Sequence, residues 1–137
     1  MDAQDRARIE ALLYRSFWLI DHGRAAESAA LFAPDGSLTF GPGAPAPGTI
    51  RGADIAAAMT RRQAQSGVTS RHLLSNVQIE EMGEDRALMR SLLTLFRTES
   101  DDLRPDVKSV ADVEDEMVRQ GTEWKIARRT IMPVFTL

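Results

Sequence analysis

Along the first third of the chain, Ile9, Leu12, Leu13, Phe17 and Ile20 recur at spacings of three and four, with Ser16 on the same side. That period predicts an amphipathic helix, and the "DHG" that follows supplies a glycine where it should stop. A second, shorter helix is expected over "RAAESAALFAP", ending before Pro34. The "PDGS" that follows reads as a turn feeding a short strand, "LTF". "GPGAPAPGT", residues 41–49, is too rich in Pro and Gly for helix or central strand and reads as an exposed loop. "RGADIAAAMTRRQAQSG" predicts a third helix ending near Gly67, with Ile55 and Met59 on one face. From Ser70 onward the helical period gives way to β-rich segments over 70–82, 85–98, 107–120 and 123–135. "GED", "SDDLRPD" and "QGTE" separate them as hairpin turns.

Helices followed by an antiparallel meander predict an α+β domain, 1–137, in which three N-terminal helices wrap one face of a strongly curved sheet. Strand 85–98 is apolar on both faces, with Leu88, Leu92 and Phe96 on one and Met89, Leu93 and Leu95 on the other. It therefore suits a central strand with helices or a second subunit against its far side.

Composition narrows the function. Apolar residues make up 43% and charged residues 27% of 137 residues, ordinary values for a soluble globular chain. No run reaches the ~18 apolar residues of a membrane span. A net charge of −3 argues against a nucleic-acid surface, which needs clustered Lys and Arg. The polar start "MDAQDRARIE" lacks the apolar core of a signal peptide, so a cytoplasmic location is the expectation. With no cysteine, chemistry falls to His, carboxylates, hydroxyls and arginines.

There are two histidines, and one sits in the apolar strand "SRHLLSNV". Strict alternation puts His72, Leu74 and Asn76 on one face. On the first helix Tyr14, Phe17, Trp18 and Asp21 form a stripe that ends in an acid. If stripe and strand face the same space, Asp21 can orient one ring nitrogen of His72 and leave the other as a base. The competing reading makes Asp21 a solvated helix end and His72 a core residue satisfied by a backbone carbonyl. Asn76 can hold a substrate carbonyl or satisfy buried backbone. Tyr14 can donate into the space or pack at its rim. Either Arg128 or Arg129 emerges on the concave side as an anion stabiliser, or pairs with Asp112, Glu114 or Asp115. His22, about 100° round the helix from Asp21, is expected in solvent, which leaves too few ligands for a metal site.

"GRAAESAALFAPDGSLTF", "IRGADIAAAM", "RHLLSNV" and "EWKIARRTIMPVF", with a tyrosine seven residues before Asp21, together resemble the SnoaL-like proteins of the nuclear transport factor 2-like superfamily. The resemblance implies a cone-shaped antiparallel sheet wrapped by three helices and a homodimer or homotrimer. In the scytalone dehydratase and dehydrochlorinase branch, it also implies a catalytic Asp at the end of helix one and His in the third strand. Asp21 and His72 match those positions, and Tyr14 matches a pocket aromatic. Val113 stands where many relatives carry a tyrosine, and no second pocket histidine follows residue 72.

The expected function is a cofactor-free, metal-free lyase or isomerase of dehydratase type, acting on a small, largely apolar cyclic or aromatic molecule. His72 and Asp21 would be catalytic, with Tyr14, Trp18, Met59, Asn76 and Arg129 contacting substrate. The alternative is a non-catalytic ligand-binding or oligomerisation module, such as a relative of the small subunits of ring-hydroxylating dioxygenases.

Overall fold

The computed structural model describes residues 1–101 and 103–136; Asp102, within the expected turn "SDDLRPD", and Leu137 lie outside the described residues. Helix α1 spans Ala3–Asp21, and its N-cap Asp2 accepts a hydrogen bond from the Asp5 amide at 2.8 Å. Gly23, at φ +75°, ends it by turning left-handed, which lets the Arg24 amide reach the Leu19 carbonyl at 2.9 Å. The buried row is Ile9, Leu13, Ser16 and Phe17.

The second helix is shorter than its sequence suggests. Only Ala25–Ser28 is α-helical (α2), followed by a 3-10 turn over Ala29–Leu31. Phe32 already belongs to strand β1, Phe32–Phe40, because it pairs with Ile126 in the sheet. The expected "PDGS" turn is an irregularity inside that strand, between Phe32 and Ser37. Gly36 makes it possible: a Cβ there would lie 2.9 Å from the Ala33 carbonyl oxygen and 3.1 Å from that of Ile126. The Pro/Gly segment is a loop as far as residue 47, after which Gly48–Arg51 (β2) returns along β1 as an edge strand.

Helix α3 covers Ala53–Ala64 and precedes β3 (Thr69–Glu81), β4 (Arg86–Thr98), β5 (Asp106–Gln120) and β6 (Glu123–Thr136). The six strands form one curved sheet in the order β2-β1-β6-β5-β4-β3. The meander is antiparallel as expected, but β1 and β6 are parallel, since the last strand closes the sheet beside the first. Register shifts in the β3–β4, β4–β5 and β5–β6 ladders bend the sheet around the helices. Ile9, Leu13, Phe17 and Ile55 from the helices meet Met89, Leu93, Val113, Met117 and Ile126 on the concave face. Each such side chain contributes about 1.5–3 kcal/mol by leaving water. Leu88, Leu92 and Phe96 are half-buried on the opposite face, where Leu73, Met132 and Val134 are exposed. Among the described residues, no helix is long and apolar enough to cross a membrane.

Candidate active site

Asp21, the last residue of α1, lands on β3. Its Oδ1 meets His72 Nδ1 at 2.5 Å and accepts from Ser70 Oγ at 2.7 Å, while Oδ2 accepts from the His72 amide at 2.7 Å. Arg71 donates to the Asp21 carbonyl at 3.0 Å and to the Ser70 carbonyl at 2.6 Å, tying the helix end to the strand where a cation suits the helix dipole. The Asp21 side chain is 5% exposed and that of His72 is 13% exposed. Burial works to raise the Asp21 pKa, but the hydrogen bonds and charge of His72, with Ser70, outweigh it and hold the carboxyl below its usual value. An ionised carboxylate can only accept, so Nδ1 carries a proton, and in the neutral imidazole the lone pair is on Nε2. Among the described residues, no hydrogen bond engages Nε2. The Phe17 ring lies 4.9 Å from the imidazole.

Phe17 also touches the second polar cluster. The Arg129 guanidinium sits 4.7 Å from the Phe17 ring centroid and 5.8 Å from that of Phe32. It grips Asp115 through two bonds, 2.7 Å from Nε and 3.1 Å from Nη2, and donates from Nη1 to Ser16 Oγ at 2.9 Å. Arg129 is 2% exposed and Asp115 0%. Both anticipated features of position 129 thus coincide: it is the inward-facing arginine, and it is paired. Arg128 turns outward to Glu116.

Other expected site residues lie elsewhere. Trp18 is 61% exposed and stacks on His22 at 3.9 Å between centroids; Tyr14 is 43% exposed and its hydroxyl donates to Glu10. Both sit one position beyond the buried Leu13 and Phe17 row, so the stripe splits along its length. Met59 is half-buried against the core. Asn76 does not share a face with His72: it sits at φ +55°, exposed, where the β3–β4 register shifts between Ser75 and Gln78. The extra residue reverses the alternation, so Val77 and Ile79 join His72 and Leu74 on the core side. His22 is exposed as expected, and no cluster of potential metal ligands occurs among the described residues.

Sequence reasoning missed Ser70 and Arg62. Ser70 Oγ accepts from Arg62 Nη2 at 3.0 Å while donating to Asp21. The period of two that singled out His72 places Ser70 on the same face, a signal available but unused. A cleft of 440 Å³ runs past Ser70, Arg71, Phe96, Thr98, Leu103 and Pro105, beside but not over the imidazole.

Comparison with known proteins follows the same lines. A putative scytalone dehydratase from Novosphingobium aromaticivorans superposes with a TM-score of 0.80 at 21% identity, covering 97% of this chain and 86% of its own. An NTF2-like protein with a cystatin-like fold from the same organism gives 0.80 at 24% identity, covering 96% and 82%. A Catenulispora acidiphila protein solved in complex with S-DNPA gives 0.78 at 21% identity, covering 96% and 95%. No curated protein matches the sequence significantly. The SnoaL-like domain model matches residues 1–130, nearly the whole length, and with this architecture the chain belongs to the SnoaL-like family.

Proposed function

We propose that the chain is a lyase or isomerase that needs no cofactor and abstracts a proton from a small, largely apolar cyclic molecule. The contact of Asp21 Oδ1 with His72 Nδ1, at 2.5 Å, carries this reading. His72 Nε2 takes the proton from carbon, and the forming imidazolium is stabilised by Asp21, which remains ionised. Arg129, beneath Phe17, supplies positive potential to the developing oxyanion. Its pairing with Asp115 tempers that field. The S-DNPA bound by the Catenulispora neighbour is in keeping with a small-molecule site on this scaffold.

The second reading, a binding or assembly module, draws on the apolar outer face carrying Leu73, Met132 and Val134, through which the chain would pair as a homodimer or homotrimer. One experiment separates the two. Cyclic ketones are incubated with the protein in deuterium oxide, and α-deuterium incorporation is followed by NMR. The enzyme reading expects incorporation that His72→Gln reduces about 10²–10⁴-fold. Incorporation unchanged in that variant, or absent across the panel, supports the module instead.

A further inference from the structure

Behind Asp21 and His72 lie two guanidinium groups that the proton-transfer chemistry does not use. Arg62, in the last turn of α3, reaches Ser70 Oγ, and Arg97 pairs directly opposite Ser70 across the β3–β4 ladder. One serine thus has an arginine on each side. The two charges are close enough to be felt: burial lowers the Arg62 pKa first, the Arg97 charge lowers it further, and Asp21 works the other way.

Arg97 is under-satisfied. Its Nε is buried without an acceptor, and its ion pair with Glu99 is a 3.5 Å contact to a carboxylate that is 72% exposed. A desolvated guanidinium N–H lacking a partner is costly, and an exposed pair of that length contributes little. A cleft of 350 Å³ opens on Arg97, lined also by Thr98, Glu99, Asp106 and Lys108. Lys108 is 3.7 Å from Asp106 and answers that carboxylate, while the Arg97–Glu99 contact is the one an incoming anion would replace. The polar lining does not suit the apolar body of a ligand. It suits a charged end.

The geometry points to an anion subsite at Arg62 and Arg97, which takes a carboxylate carried by the substrate and holds its apolar body toward His72. A carboxylate matches the planar fork of arginine and relieves the repulsion between the two cations. Arg62 is bonded to the Ser70 hydroxyl, which bonds Asp21, which bonds His72, so the anchor connects to the general base through two side chains. The substrate class implied is an apolar, cyclic or aromatic acid. This deepens the proposed function and rests on its reading of Asp21 and His72 as a proton-transfer site.

The test is a matched pair of probes, cinnamate and its neutral twin cinnamamide, titrated calorimetrically into the full chain. The expected result is about tenfold tighter binding of cinnamate by the wild type. Arg62→Gln and Arg97→Gln should each bring the two probes close to parity while leaving cinnamamide affinity unchanged. Equal affinities in the wild type, or a preference that survives in Arg97→Gln, overturn the subsite. His72→Gln should keep the cinnamate preference, so this result stands or falls separately from the proton-transfer experiment.

Discussion

Replacing Asp21 by asparagine turns one oxygen into an NH₂ with almost no change of volume, yet neither orientation keeps all three of its hydrogen bonds. The carboxylate accepts from Ser70 Oγ, His72 Nδ1 and the His72 amide. If the oxygen of the substituted side chain keeps the His72 amide, its NH₂ faces Nδ1 and drives the ring to the opposite tautomer. If that oxygen keeps Nδ1, the NH₂ meets the backbone amide donor to donor. Weakening two charge-assisted bonds to neutral ones, each by about 1 kcal/mol, predicts a loss of about 2 kcal/mol at neutral pH. The pH dependence has a definite sign. The folded-state pKa of Asp21 is lowered, so its stabilisation is complete above the unfolded carboxyl value and is lost as pH falls through the folded one. The gap between wild type and Asp21→Asn in urea unfolding should therefore be widest near neutrality and shrink in acid. Ring ¹⁵N shifts of His72 should report a proton on Nδ1 in the wild type and on Nε2 in the variant. A wrong tautomer costs on the order of 10⁴ in turnover where a histidine base depends on an aspartate. Unfolding within about 0.5 kcal/mol of wild type with an unchanged tautomer would refute the reasoning.

Two further predictions concern the scaffold. Asp115→Asn, which strands the Arg129 charge in the core, should cost about 3–5 kcal/mol in urea unfolding, whereas Arg129→Met with Asp115→Leu should recover most of that loss; equal losses would mean the pair is not desolvated as described. Gly36→Ala should lower stability by about 1–3 kcal/mol, because the added methyl meets two backbone oxygens that cannot move independently, and an unchanged thermal midpoint would contradict this.

The meeting of Asp21 with His72 was legible because each half has a local signal: an acid at the end of a helical stripe and an imidazole at a core-facing strand position. The width of the stripe was not. A helix buries about 100° of its circumference, and Leu13 and Phe17 occupy it, which leaves Tyr14 and Trp18 outside. Asn76 was misplaced because alternation assumes an unbroken ladder, and a bulge depends on the partner strand as much as on its own residues. The parallel β1–β6 pair joins segments far apart in sequence, so no local period announces it, and the Arg62–Ser70 bond crosses the turn from α3 to β3, where helical and strand periods both stop. The helix that should have included Phe32 lost it to the sheet, a tertiary preference overriding a local one.

The left-handed residue at position 76 divides β3 into two independently phased halves. Ahead of it the strand presents Ser70 and His72 to the helix end; beyond it, Val77 and Ile79 seal the interior. Deleting that single residue would leave the imidazole where it is and swing the hydrophobic half of the strand into water. A relative carrying an unbroken ladder here would have to surrender either its base or its seal. The bulge frees chemistry and packing on one strand to vary separately, so substitutions that retune one need not disturb the other.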